Sequence, residues 1–255
     1  MPSRPADRRP SCPPGPGQNI ALTVPPAVPD YLTVIVAPKR DRQAERREAT
    51  RREILEAAWD AAHEGSVAGL TLRDIAARVG MQQPSLYSHF AAKHAIYDAM
   101  FEQAWRDFLD QARRERQSLP AEPRARLTAI ALNYFDYAVA DLARHQLMDV
   151  NVIPGFRPTE QAYAPAQETY ALLMEELHGM GIAAQDTADI YTAIVGGLVN
   201  QQLANDPGGD RWRRLVPRVI GMFADNLGLP DAAGPPVPPP APIRRRTNEP
   251  EEVRP

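Results

Sequence analysis

Leu70-Thr-Leu-Arg-Asp-Ile-Ala-Ala-Arg-Val-Gly80-Met-Gln-Gln-Pro-Ser-Leu-Tyr-Ser-His-Phe90, with Lys93 just beyond it, decides how the N-terminal part of the chain folds. Thr71 stands where a helix N-cap belongs. Asp74, three residues on, completes most of a capping box, with Asp in place of the preferred Glu or Gln. Ile75, Ala76 and Val79 fall on one helical face, and Gly80 ends that helix. A second helix over 83–90 follows, with Pro84 tolerated in its first turn and Leu86 and Phe90, four apart, as anchors. Two short helices across a glycine turn can lay the first across a DNA backbone and the second in the major groove. Such pairs also occur in plain helical bundles, so spacing alone leaves both readings open.

Working upstream, a helix over 46–64 carries Ile54, Leu55, Ala58 and Trp59 as an apolar stripe and stops at Gly65. Arg47, Arg51 and Arg52, with Lys39, Arg40 and Arg42 before them, give this end a local positive field. The formal net charge of -3 over 255 residues conceals that field. Such cations would position the chain on phosphates and make binding salt-dependent rather than sequence-specific. The exposed positions of the second short helix are Gln82, Gln83, Ser85, Tyr87, Ser88 and His89. Glutamine can pair bidentately with adenine, and serine hydroxyls can reach phosphates or base edges. Tyr87 and Lys93 suit phosphate contacts, as do the hydroxyl and amides at Thr71.

The run Thr71-Leu-Arg-Asp-Ile-Ala-Ala-Arg-Val-Gly80, then Pro84-Ser-Leu-Tyr87-Ser-His-Phe90 and Lys93, resembles the N-terminal domain of TetR/AcrR-type transcriptional regulators over about residues 48 to 97. The resemblance implies an all-α fold: a three-helix helix-turn-helix head joined by a fourth helix to a larger helical ligand-binding and dimerisation domain. It implies DNA contacts at Thr71, Gln83, Tyr87, His89 and Lys93, and more weakly at Ser85. It also implies repression released by a small molecule. Gln82-Gln83-Pro84 at the start of the reading helix, and His94-Ala-Ile where an acidic residue and leucine are commoner, depart from the family pattern. These departures bear on the operator sequence or local packing more than on the fold.

The rest reads as helix between two proline-rich ends. Residues 1–44 read as a disordered arm, 45–92 as the head, 93–228 as the helical body and 229–255 as a disordered tail. In the arm, Tyr31-Leu-Thr-Val-Ile-Val-Ala37 reads as a short strand or sticky segment, too short to span a bilayer as a helix. Within the body, helices are expected from Lys93 into the 110s, then near 122–140, 141–150, 159–179, 186–204 and 211–227. Pro165 marks either the true start of its helix or a kink, and Pro217 falls inside the last helix. Candidate ligand contacts are Tyr134, Tyr137, Met148, Phe156, Tyr170, Met174 and His178, since aromatic and Met side chains with a few polar tips suit an apolar pocket. Any one of them also serves as plain bundle core.

Ile190, Ile194, Gly197, Leu198 and Gln201, with Val219, Met222 and Phe223, are the candidate dimer face, small residues permitting close approach. A homodimer would present two heads to an inverted repeat of double-stranded DNA, with half-sites about 34–36 Å apart or a multiple. The chain has one cysteine, Cys12, and no His pair at metal-ligand spacing, phosphate loop or nucleophile elbow. No enzyme activity, metal or cofactor is therefore expected. No run resembles a signal peptide or membrane helix, so the expected setting is the cytoplasm, with no membrane partner. The rival to a small-molecule effector is a DNA-binding regulator whose body only dimerises or meets a protein partner.

Overall fold

The computed structural model describes residues 41–150 and 152–230. The expectations for the arm before 41 and the tail after 230 lie outside the described residues. Every secondary-structure element among the described residues is helical. α1 (Arg42–Glu64) starts before the boundary placed at 44, because Arg42 to Ala44 continue a segment free of proline and glycine. α2 (Leu72–Arg78) is capped by Thr71, whose hydroxyl accepts from Asp74 N at 3.1 Å and donates to Asp74 Oδ2 at 2.6 Å. The Asp side chain thus answers the Thr hydroxyl rather than the Thr backbone amide. Gly80, at φ 65°, turns the chain through the left-handed region where a side chain would be strained.

α3 (Gln83–Leu86) is shorter than the expected 83–90. Its continuation tightens: Tyr87, Ser88 and His89 donate backbone bonds to the third residue before them rather than the fourth. Phe90 N closes on Leu86 O at 2.8 Å, so Leu86 and Phe90 still reach the core together. α4 (Lys93–Glu115) is a single 23-residue helix. Ile96, Tyr97 and Met100 on its first turns are buried with Ile54, Trp59, Ile75, Leu86 and Phe90.

The body contains α5 (Pro123–Ala140), α6 (Leu142–Met148), α7 (Glu160–Gly179), α8 (Gln185–Asn205) and α9 (Val216–Asn226). Its own core gathers Leu127, Phe135, Leu177, Tyr191, Val199 and Ile220. α7 starts before Pro165, since Thr159 caps it by accepting from Ala162 N at 3.2 Å, and the proline sits inside the helix. Pro217 lies in the first turn of α9, where its missing N–H costs nothing. The residues before it form a 3-10 turn, Arg213–Leu215, rather than the start of one long helix. Arg124 donates to Leu229 O at 2.7 Å, so the chain is still held beyond the body boundary placed at 228. No described helix is long and apolar enough to cross a membrane.

Candidate DNA-reading head and body cavity

α3 presents its polar side outward. Gln82, Gln83, Ser85 and Ser88 are exposed, and Tyr87 is 50% exposed despite its aromatic ring. Ser88 Oγ is occupied locally, donating to Ser85 O at 2.7 Å. His89 is half-buried and its Nδ1 is a buried atom with no hydrogen-bond partner. Lys93 opens α4 with its ammonium 5.2 Å from the centre of the Tyr97 ring. Tyr97 is itself pinned by donating to Val67 O at 2.8 Å.

The arginines of α1 divide in a way that spacing did not reveal. Arg47 donates to Ser88 O at 3.0 Å, and Arg51 donates to His89 O. The Arg51 guanidinium also lies 4.1 Å from the centre of the Phe90 ring. Two arginines assigned to phosphates thus cap the last carbonyls of the reading helix, which a short helix leaves unsatisfied. Arg52 remains exposed. At the other end of α1, Arg78 pairs with Glu64, and Trp59 Nε1 donates to Gln103 Oε1 on α4 at 2.9 Å. That pairing holds the Glu64 carboxyl below its usual range, through its hydrogen bond with Arg78 and then the Arg78 charge.

The body holds a partly open cavity of about 340 Å³. α4 forms one wall through Trp105, Phe108 and Ala112, the same helix that begins at the head with Lys93. Of the residues chosen from sequence, Tyr134 and Tyr170 line the cavity. The other five lie elsewhere. Tyr137 donates to Ala104 O at 2.7 Å and packs on Phe108, filling the joint between α4 and α5. Met148 packs against the head-side core, and Phe156 is buried there against Tyr97, with ring centres 5.7 Å apart. Met174 packs into the body core, while His178 is exposed near the end of α7.

The cavity's polar residues come mostly from short or distant segments. His145, 3% exposed, places Nε2 3.1 Å from Asn200 Oδ1 and Nδ1 3.2 Å from Asp149 Oδ2. The Asp149 contact is an ion pair whose geometry falls short of a hydrogen bond. Burial alone would lower the His145 pKa, but contacts with Asp149 and Asn200 outweigh it and raise the pKa. Tyr134 donates to Asp149 Oδ2 at 2.5 Å, and burial, then the Asp149 charge, pushes its phenol pKa up. Buried Glu176 is held by Arg116 and Arg126, each with Nε 2.6 Å from a carboxylate oxygen. A charged residue on an otherwise apolar helical stripe was the available sign for Glu176. Nothing in spacing joins His145 to Asn200, which only the tertiary fold brings together.

On the proposed dimer face, Ile190 and Met222 are exposed at 53% and 63%, and Gly197 and Gln201 are exposed with them. Ile194 and Val219 are half-buried. Leu198 and Phe223 turn inward to the chain's own core, Phe223 against the Tyr191 ring with centres 5.7 Å apart. Among the described residues, no group of three or more His, Cys, Asp or Glu side chains is placed to hold a metal ion.

Residues 54–100 match the model of the bacterial regulatory proteins, tetR family. Tetracycline repressor protein class A from transposon 1721 of Escherichia coli is 30% identical over 178 residues, 62% of this chain and 69% of that protein. Among solved structures, a protein with unknown function from Rhodococcus sp. RHA1 superposes with a TM-score of 0.60 at 22% identity, covering 69% of this chain and 94% of that one. A TetR-family transcriptional regulator from Bordetella parapertussis 12822 superposes with a TM-score of 0.51 at 21% identity, covering 72% and 100% respectively. The two superpositions agree with the all-α arrangement of head and body.

Proposed function

The chain belongs to the tetR family of bacterial regulatory proteins, and on that premise we propose that it is a repressor released from an inverted-repeat operator by a small apolar or amphipathic molecule. It is a DNA-binding regulator by family; release by an effector is the further step. One observation carries that step. The helix that begins at the head, α4, also forms a wall of the 340 Å³ body cavity through Trp105 and Phe108. A guest that fits one position of α4 better than another shifts the spacing of the two heads in a dimer. Equal affinity for both positions would shift nothing. A body packed solid would instead favour the reading in which it only dimerises. The name of the Escherichia coli relative couples repression to tetracycline; for this chain we take repression from it and leave the effector to the cavity's own chemistry.

Gln82, Gln83 and Ser85 are the base-reading side chains, near the start of the helix that enters the major groove. Tyr87, Lys93 and Thr71 hold phosphates, with Arg52 adding charge nearby. His89 supports the end of the helix from its half-buried place. The dimer face is the exposed strip of Ile190, Ile194, Gly197 and Gln201 on α8 with Val219 and Met222 on α9.

Fluorescence anisotropy with labelled DNA from upstream of the protein's own gene tests this. Tyr87→Phe combined with Lys93→Ala should weaken binding to every sequence and reduce the salt slope by about 1 per lost phosphate contact. Gln83→Ala should instead relax preference among related operators. Binding that ignores sequence in the unchanged chain would overturn the operator reading. Unchanged operator affinity at saturation with a ligand verified to occupy the cavity would overturn release.

A further inference from the structure

Resting on the effector reading above, we propose that the guest of the body cavity is an organic cation, a quaternary ammonium carried on a flat apolar frame. The wall suits both halves of such a molecule. Trp105, Phe108, Tyr134, Tyr170 and Tyr191 give it five rings. At about 340 Å³ the space lies near the lower end of volumes that hold a drug-sized molecule, about 300–1,000 Å³. An aromatic face is electron-rich and draws a cation, most strongly where water is partly excluded. Phe108 meets Trp105 and Tyr134 edge to face, with ring planes at 70° and 75°. An edge-to-face contact covers one ring face where a stack covers two, so faces stay free. The phenol hydroxyls are engaged within the protein: Tyr134 with Asp149, Tyr191 with Leu127 O, and Tyr170 with Gln185 and Asp189. What these residues offer a guest is the ring, and a quaternary ammonium, having no N–H to satisfy, needs nothing more.

The sign of the charge follows from how the ions of the wall pair. Arg116 places Nε 2.6 Å from Glu176 and donates to Glu175 Oε2 at 2.9 Å, while the other oxygen of Glu176 takes Arg126. His145 lies against Asp149. Glu115 is the ion of the wall that makes no ion pair among the described residues. Arg113 and Arg114, in the same last turn of α4, do not line the cavity, and Arg113 is held by Glu168 at 2.7 Å. An organic anion would meet no unpaired cation on this wall and a carboxylate at its edge.

Glu115 also stands in line with the rings. Trp105, Phe108, Ala112 and Glu115 follow at intervals of three and four along α4, so two rings, a methyl group and a carboxylate share one helical face. Glu115 is exposed, whereas Phe108 is buried. A guest lying along this face keeps its frame among the rings and its ammonium beside a carboxylate that is itself in solvent. The charge is then never fully stripped of water, which removes the main cost of seating an ion.

Calorimetric titration of the full chain with probes of matched shape tests the class. Trimethylphenylammonium is compared with its uncharged isostere tert-butylbenzene, trimethyl(2-naphthyl)ammonium with 2-tert-butylnaphthalene, and both with benzoate and 2-naphthoate. The cation of at least one skeleton should bind about tenfold more tightly than its isostere, and the carboxylates should bind weakest. Glu115→Gln should reduce that ratio about threefold, as expected of an exposed carboxylate, and Trp105→Leu should reduce it further. Each variant is read as the ratio of cation to hydrocarbon affinity, which a general change of packing leaves alone. Glu115→Gln alters an exposed side chain, so the test stands even where Trp105→Leu fails to fold. Cations that bind no more tightly than their isosteres, tightest binding by a carboxylate, no binding of either cation, or a ratio unmoved by Glu115→Gln overturns the proposal. Operator anisotropy is read separately. A cation that binds with the expected preference yet leaves DNA affinity unchanged sustains the guest class and sinks ligand-controlled release. Release by a hydrocarbon that binds more tightly than its cation does the reverse.

Discussion

The head and the body are both assembled from helices with one apolar face, yet they use that face differently. In the head, Ile54, Ile75, Leu86 and Ile96 are all at most 1% exposed, and even the end of the reading helix is capped, by Arg47 and Arg51. In the body, the rings of Trp105, Phe108, Tyr134, Tyr170 and Tyr191 line a space of about 340 Å³. Native interiors otherwise pack densely. The head must hold a fixed shape to read a groove, so filling it is functional. The body has to stay incomplete for a guest to complete it.

The largest effect that could break this contrast comes from the same truncation made on each side. Leu86→Ala should cost about 2–5 kcal/mol, because the side chain is enclosed on all sides and its neighbours relax only partly. Leu173→Ala should cost about 1 kcal/mol or less, since that side chain is half-buried and already borders the cavity. Chemical denaturation of both variants checks this; equal costs would mean that the body around Leu173 is packed as tightly as the head.

Next in size is the arginine pair on α1. Arg51→Ala removes a charged donor to His89 O and the contact with the Phe90 ring, and should cost about 1.5–3 kcal/mol. Arg52→Ala, on the adjacent exposed position, should change stability by no more than about 0.5 kcal/mol while reducing the salt dependence of DNA binding. Indistinguishable melting curves would return Arg51 to a purely phosphate-facing role.

That pair also shows how far the sequence could be read. The head was legible because its signals are local: the Thr71 cap, the Gly80 turn and the Leu86–Phe90 spacing all act within one or two turns. The roles of Arg47 and Arg51 were not, since their acceptors lie 41 and 38 residues away and are backbone carbonyls that any residue could supply. Helical periodicity put Tyr134 and Tyr170 on inward faces, but it does not say whether an inward face meets a neighbour or a space. Met174 and Phe156 share that patterning and are packed into cores. Leu198 and Phe223 likewise carry the apolar spacing of an interface and belong to the chain's own interior.

A smaller effect isolates the charged corner of the cavity. His145 has a pKa raised above its ordinary 6.5, so the folded chain holds that proton more tightly than the unfolded chain does. The resulting stability is fully present below the unfolded value and is lost as pH rises through the folded one. Between about pH 6 and about pH 8 the melting temperature of the unchanged chain should therefore fall more than that of His145→Gln. Parallel curves would show that the Asp149 contact does not retain the proton. In the head, by comparison, Tyr97 and Trp59 contact a backbone carbonyl and a neutral amide.

The smallest effect compares two neighbours on α8. A Cβ added at Gly196 or at Gly197 would meet nothing within 4 Å, and neither position has the left-handed backbone that favours glycine. Replacing either with alanine should stabilise the isolated chain by about 0.5–1 kcal/mol, through the helix alone. Their surroundings then separate them. Gly196 borders the cavity, so its methyl group narrows the space and should weaken guest binding without touching assembly. Gly197 is exposed on the strip with Ile190 and Gln201, so its methyl group would stand between two copies packed closely there. Gly196→Ala should therefore raise the melting temperature at every protein concentration, while Gly197→Ala should raise it only where the protein is dilute enough to be monomeric. An equal rise for both at all concentrations would remove Gly197 from the interface and leave helix propensity as the whole effect.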